Sequence, residues 1–502
     1  MAFFDRRRFL LASAAATLAN RHSFGQIPEK SLGHAARIML HPEEPDAAVP
    51  SNFLGLSYET LQLSDPSFFS PHNRELIAQF HKLAPHGVLR IGGNTSDVSW
   101  WKATPDAQPP EFHVRTTPGE PSGRQAFSIG PEAVRSLRGF LDATGWSCIY
   151  GINLGTGTPS RAAEQAAFVA KALGDKLEYF QLGNEPDLYV KHLRDPQTWS
   201  ADAYLDEWLA MANAILAVVP SAKFGLPDTG GQPDWYGAME TRLAKNPILP
   251  SVAALSHHYY FGGPPSNPKV NVESLLQPNP KVLQAAAGIS SLAANISKGL
   301  PHPIPYRMTE GNTCYQGGKP GVSDVFAAAL WAADYLLLLA SLGYAGINLH
   351  GGDAKIIANG LGGTLPGEAL MTDSSTPHPR PFYTPIAHIG DSFVAEPVSY
   401  GMRFAQHFAG ATMFKLDFDP GTVNATAYAA KLPNGNKLLA VINKDASAGL
   451  SLNLSGARQV YAISASSLTS TAVSEAPIPQ PAAGLSIPAR SAILFLQSNG
   501  QK

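Results

Sequence analysis

The chain of 502 residues is 44% hydrophobic and 15% charged, with 37 Lys and Arg set against 39 Asp and Glu. Soluble domains average roughly 25% charged residues, so this composition excludes a disordered chain, and nothing in it suggests a coiled coil. A net charge of -2 argues against a nucleic-acid partner.

At the N-terminus, Asp5-Arg-Arg-Arg-Phe-Leu-Leu11 places paired arginines before a modest apolar run, which small residues follow. That order is the order of a secretory signal, and Arg-Arg-x-Phe-Leu resembles a twin-arginine export signal. Residues 1–25 are therefore expected to be an address, cleaved after Ala19 or Gly25, and the protein to be periplasmic or extracellular. No later apolar run reaches the length of a membrane span. The nearest, residues 330–342, is interrupted by Asp334 and reads as a buried helix, so no stable membrane insertion is expected.

Short apolar runs ending in polar residues or glycine recur at 53–59, 87–93, 148–154, 177–185, 223–228, 252–260, 305–310 and 345–350. Helical periodicity fills stretches between them, at 74–83, 131–144, 160–173, 200–219 and 325–342. Eight such alternations predict an α/β chain folded as a (β/α)8 TIM barrel over residues 52–395. A doubly wound open sheet would show a glycine-rich phosphate loop after its first strand, and Gly55-Leu-Ser-Tyr-Glu59 is not one. From residue 396 the texture becomes short β-rich runs, at 413–418, 423–432, 437–443, 450–454, 459–464 and 487–496. These predict an accessory β-sandwich over 396–502. Residues 26–51 have no helical partner, and 35–40 is expected to add an N-terminal strand to that sandwich. The Ala/Ser-rich stretch 464–476 reads as surface loops. Two cysteines, Cys148 and Cys314, exclude a disulfide framework, and the sequence leaves their pairing open.

In such a barrel, chemistry sits at the C-terminal strand ends. The fourth strand ends in Gln181-Leu-Gly-Asn-Glu-Pro186 and the seventh in Met308-Thr-Glu-Gly-Asn312. Glu185 and Glu310 thus face one mouth. Two opposed carboxyl groups are what glycosidic cleavage requires: one protonates the leaving oxygen, and the other attacks the anomeric carbon or activates water.

Leu89-Arg-Ile-Gly-Gly93 followed by Asp97, Tyr179-Phe-Gln-Leu-Gly-Asn-Glu-Pro-Asp187 and Thr309-Glu-Gly-Asn312 together resemble glycoside hydrolase family 79, the heparanase and β-glucuronidase family. The resemblance covers nearly the whole chain after the export signal. It implies retention of configuration, Glu185 as acid/base, Glu310 as nucleophile, and glucuronic acid in the subsite before the cut. Dense Lys/Arg clusters for a sulfated polymer are missing, which places the chain closest to the bacterial β-glucuronidase branch. The expected partner is a glucuronic-acid-containing carbohydrate or glycoside. Two other readings share these features: a retaining glycosidase for a neutral sugar, and a catalytically silent carbohydrate-binding barrel.

Around the two glutamates, Glu59 and Asn184 are candidates to bind sugar hydroxyls. Arg90, inside the second strand, needs a buried partner, and the nucleophile carboxylate is the natural one. His257, His258, Tyr259 and Tyr260 end the sixth strand. Alternation turns every second one inward, and an inward tyrosine hydroxyl, Tyr260 in this reading, is placed to orient the nucleophile or meet substrate. Adjacent strand histidines point apart and no third ligand is evident, so no metal is expected, and no cofactor. For the substrate carboxylate the expected donors are the Tyr315 hydroxyl and the strand-eight turn, His350, Gly351 and Gly352. Trp100, Trp101, Trp235 and Tyr236 are loop aromatics that either stack on sugars or pack.

Overall fold

The computed structural model describes residues 34–112, 125–231, 234–362, 365, 380–477 and 485–499. The expected export signal lies outside them. Eight parallel strands close into a barrel in chain order: Leu54–Glu59, Val88–Gly92, Ser147–Ile152, Leu177–Leu182, Phe224–Thr229, Val252–Tyr260, Tyr306–Asn312 and Gly346–His350. They are called barrel strands 1 to 8 below. All eight runs read from the sequence are these strands, because strands buried on both faces are near-continuous apolar runs.

The helices follow their local signals. Asn73 and Thr158 accept from the backbone N–H three residues on, at Leu76 and Arg161, and so cap helices Arg74–Leu83 and Pro159–Leu173. Helix Pro131–Thr144 starts on its proline and stops at Gly145, whose φ is 76°.

A nine-stranded mixed sheet forms the second unit. Strand His34–Ala48 lies inside it, antiparallel to Thr412–Asp419 and parallel to Leu450–Leu452. Two of its strands are buried on both faces. In Lys437–Asn443 and Ser491–Gln497, Leu438, Ala440, Ile442, Ala492 and Leu494 join the barrel's core. Their neighbours Leu439, Val441, Ile493 and Phe495 fill the sheet's own core. The expected strand 487–496 is two strands. Leu485–Ile487 pairs with Leu450–Leu452, and the chain then turns through Pro488 and Arg490, at φ 52°, into Ser491–Gln497. Within the stretch read as loops, Ser474–Pro477 is a strand at the sheet edge.

Helix Phe326–Ser341 is buried nearly all round because it lies between barrel and sheet. This explains the lone acid in its apolar run. Asp334 accepts from Thr426 Oγ1 at 2.7 Å and Tyr428 Oη at 2.6 Å, and it pairs with Lys444. Lys444 is 4% exposed. Removing Asp334 leaves that ammonium buried and unpaired, which costs about 3–5 kcal/mol. Asp334→Leu is thus expected to lower the thermal midpoint sharply, and Asp334→Leu/Lys444→Met to recover much of the loss. A double variant no more stable than the single one would show that the pair does not anchor the sheet.

Candidate active site

Barrel strand 2 places Arg90 in the centre of the barrel, with no exposed surface. Its Nη1 donates to Glu310 Oε2 at 2.6 Å and Ser57 Oγ at 3.0 Å, its Nε to Gln181 Oε1 at 2.7 Å, and its Nη2 to Asn184 Oδ1 at 2.8 Å. One guanidinium thereby ties strand 2 to strands 7, 1 and 4. The glycine pair after it is sterically required. A Cβ on Gly92 would stand 2.7 Å from the Arg90 guanidinium carbon, and one on Gly93, at φ 73°, would stand 2.4 Å from Glu59 Oε2.

Glu310 also accepts from Tyr260 Oη at 2.7 Å. Burial opposes its ionisation, but His350, His258 and Arg90, with the Tyr260 hydroxyl, reverse this and hold it far below the usual carboxylate range. Glu185 sits just past strand 4 in the left-handed region, at φ 46°, and its N–H donates to Asp228 O at 3.0 Å. Asp228, at φ 53°, is the next-to-last residue of strand 5. Two non-glycine residues with positive φ, joined by a backbone hydrogen bond, mark stored backbone strain at this rim.

Alternation on strand 6 sends His258 and Tyr260 inward. His257 turns to Tyr344 Oη at 2.7 Å, and Tyr259 to Asn279 Nδ2 at 3.0 Å. His258 Nδ1 is 3.1 Å from Glu185 Oε1, and its Nε2 is 3.5 Å from Asp228 Oδ1. Burial alone would expel its charge. Glu310, Asp228 and Glu185 outweigh that and push it up to about 9. Gln181 and Thr309 also donate to Asp228. Burial works against its ionisation, but the His258 contacts and Arg90 keep its carboxyl below the usual range. The sequence reading missed the Asp228 role. The signal was present, since Asp228 is an acid at a barrel strand end.

Ligating atoms of Glu185, His258 and Glu310 lie within 4.8 Å of one another, the one potential metal-ligand group among the described residues. The sequence showed no third ligand, and the fold supplies two carboxylates. His258 turns its two ring nitrogens toward the carboxylates of Glu185 and Asp228.

The remaining candidates divide. His350 Nδ1 faces Ser57 Oγ at 3.1 Å and Glu310 Oε2 at 3.8 Å, its Nε2 faces Glu59 Oε1 at 3.7 Å, and burial lowers its pKa. Glu59 Oε2 is held by the Thr95 N–H and hydroxyl at 2.8 and 2.7 Å. Burial, with Glu310 nearby, pushes it up to about 7. Asn184 Nδ2 donates to Asn94 Oδ1 at 3.1 Å. Tyr315 is 39% exposed and meets Tyr260 edge-on, with ring centroids 6.2 Å apart.

The Gly351 and Gly352 amides, expected to receive the substrate carboxylate, already have partners within the chain. Gly351 N–H already donates to Ser57 O at 3.0 Å, and Gly352 N–H to Thr384 Oγ1 at 3.2 Å. Trp101 packs on Phe168, and Trp235 on Tyr204 and Trp199. Both cysteines are buried and free.

Solved structures share this architecture. The chain superposes with a TM-score of 0.64 on a family 51 arabinofuranosidase from Xanthomonas axonopodis pv. citri, 16% identical, covering 92% of this chain and 100% of that one. It also matches a 4-O-α-L-rhamnosyl-β-D-glucuronidase from Fusarium oxysporum at a TM-score of 0.61 and 18% identity, covering 91% of this chain and 98% of that one. The class defined by these matches is a (β/α)8 barrel carrying a β-domain. In sequence, the chain is 29% identical over 344 residues to a β-glucuronidase of Aspergillus niger. That match takes in 64% of this chain and 62% of the relative's length. No protein-family model matches the chain.

The His258 shift has a signed consequence. Its folded pKa of about 9 lies above the ordinary 6.5, so its contribution to stability is complete below about 6.5 and is lost as pH rises through about 9. Wild-type protein is expected to lose stability across that window, and His258→Gln to lose clearly less. Parallel losses in thermal scans from pH 6 to 9.5 would show that His258 is not held as a cation.

Proposed function

We propose that this chain is a retaining β-glucuronidase of the heparanase and β-glucuronidase family, acting by double displacement, with Glu310 as nucleophile and Glu185 as acid/base. The observation that carries the reading is the opposed pair itself: carboxylate oxygens within 4.8 Å, one of them on a glutamate bound to a buried arginine. Retaining enzymes hold their carboxyl groups about 5–5.5 Å apart, whereas inverting enzymes leave about 6.5–9.5 Å for a water. The β-glucuronidase relative from Aspergillus supports the substrate class.

Each group then has a task. Glu310, ionised against Arg90, His258 and Tyr260, attacks the anomeric carbon. Glu185 gives its proton to the leaving oxygen. Forming the glycosyl ester removes the Glu310 charge, and Glu185 then takes a proton from the incoming water. His258, placed between Asp228 and Glu185, orients the Glu185 carboxyl group.

The substrate carboxylate needs donors to replace its hydration. With the strand-eight amides committed, this task falls to the strand-seven loop. Gln316, Gly317 and Gly318 have φ of 56°, 85° and 86° there, beside the Tyr315 hydroxyl. The Gly317 carbonyl accepts from Tyr383 N–H at 3.3 Å, which fixes this turn at the barrel mouth. Gly318 N–H donates to Tyr315 O at 3.4 Å, so the donors proposed for the carboxylate are the Tyr315 hydroxyl and the amides of Gln316 and Gly317.

The decisive experiment compares hydrolysis of a 4-nitrophenyl β-glucuronide with the matching β-glucoside, β-xyloside and α-arabinofuranoside. Preference for any neutral glycoside would overturn the glucuronide reading. Glu310→Gln is expected to abolish turnover. For Glu185→Ala, azide is expected to restore cleavage of an activated glucuronide and give the β-azide, and an α-azide product would reverse the two roles. A hydrogen bond to a charged group contributes about 1.5–3 kcal/mol, so Tyr315→Phe should cost roughly 10- to 100-fold in kcat/KM on the glucuronide and much less on the glucoside. Equal losses on both would remove Tyr315 from carboxylate recognition.

A further inference from the structure

The turn that follows the acid/base is pinned from two sides. On one side, Tyr189 Oη donates to Asp97 Oδ1 at 2.7 Å, and Trp199 Nε1 donates to Pro186 O at 2.7 Å. On the other side lies the loop after strand 5. Glu185 N–H donates to Asp228 O, and in the opposite sense Gly230 N–H donates to Asp187 Oδ1 at 2.8 Å. These two hydrogen bonds clasp residues 185–187 to residues 228–230.

The clasp closes on the reacting group. A Cβ on Gly230 would stand 3.2 Å from Glu185 Oε1, 3.3 Å from its carboxyl carbon and 3.1 Å from Leu188 Cδ1. Gly230 thus lies against the Glu185 carboxyl group, where a side chain would crowd it. The oxygen it faces is the one that His258 Nδ1 meets at 3.1 Å. With Oε1 enclosed between the two, Oε2 is left to carry the proton. The clasp also ties together the two strained residues, Glu185 and Asp228, and such conformations persist only where their surroundings over-determine them.

Asp187 contributes little to folding. It is 7% exposed, and its Oδ2 has no hydrogen-bond partner among the described residues. A buried polar oxygen without a partner lowers stability. The bond that its other oxygen makes is one that water can supply, since Gly230 is exposed. We propose that Asp187 is the positioning residue of the acid/base: through Gly230 it holds the loop after strand 5 against the Glu185 carboxyl group and so aims Oε2 at the leaving oxygen. This rests on the reading of the chain as a β-glucuronidase with Glu185 as acid/base.

The test uses the intact chain and two substrates. Phenyl β-glucuronide has a poor leaving group that needs protonation, and 2,4-dinitrophenyl β-glucuronide has one that does not. Asp187→Ala opens the clasp, Gly230→Ala crowds the same carboxyl group from the other side, and Asp187→Asn keeps an acceptor for the Gly230 N–H. Misplacing a catalytic group should cost both alanine variants about 10- to 100-fold in kcat/KM on the phenyl glucuronide, and a few-fold at most on the dinitrophenyl one. Asp187→Asn is expected to restore phenyl glucuronide cleavage to within a few-fold of wild type, with a thermal midpoint at or above the wild-type value. Equal losses on the two substrates, no loss in Asp187→Ala, or an asparagine variant as poor as the alanine one would each overturn the positioning role. Glu185→Ala separates the two readings. If it shows the leaving-group split and Asp187→Ala does not, the inference alone fails. If Glu185→Ala loses equally on both substrates, or wild type cleaves neither, the reading beneath it fails and the inference with it.

Discussion

A guanidinium cannot discard its proton to escape burial, and Arg90 has no contact with water. Taking such a charge out of solvent costs several kcal/mol unless a carboxylate and further acceptors surround it. Glu310 is that carboxylate, and Ser57, Gln181 and Asn184 are the acceptors. The two glycines after Arg90 follow from its size and from the Glu59 carboxylate beside it. Folding therefore requires an ionised Glu310 at the bottom of the pocket, which is also the state that a nucleophile needs. The stability of the barrel and the chemistry of its mouth meet in one ion pair.

From that pair, titratable groups run outward along two arms. One runs from Glu310 through His350 to Glu59, and there burial favours the neutral forms. The other runs through His258 between Glu185 and Asp228, where three carboxylates keep the imidazole charged. Burial and neighbouring charges thus push the pKa of the same residue type in opposite directions on the two arms. The arm carrying the cation is the one that leads to the proposed acid/base.

The barrel was legible because doubly buried strands and capped helices leave strong local patterns. Helices Arg74–Leu83 and Pro131–Thr144 begin and end where their periodicity and end signals put them. The residues lining the site were legible too, since strand ends converge once a barrel is assumed. Hydrogen-bond commitments were not. Two glycines announce where backbone can approach a ligand, but whether the Gly352 N–H is free depends on Thr384, 32 residues away. Asp334 was visible as an interruption, and its reason lay in Thr426, Tyr428 and Lys444 on another element. The sandwich run 487–496 hid its break because Pro488 alone does not reveal the left-handed turn at Arg490.

Strand His34–Ala48 pairs through Arg37 and Asp419 with a segment 382 residues further along the chain. A ribosome releases the first of these strands long before the second exists. Throughout that interval its hydrogen-bonding edges and the side chains of Ile38 and Leu40 have no partner, the condition under which extended segments seek other chains. The barrel between them can close meanwhile, since each of its strands pairs with a neighbour in sequence. The β-unit cannot, and closing so long a loop makes its formation a late event. Crowding of nascent chains is then a hazard written into the connectivity, and the charged and polar residues along that strand, among them Arg37, His41, Glu43 and Glu44, stand where they can keep it apart from its own kind until synthesis ends.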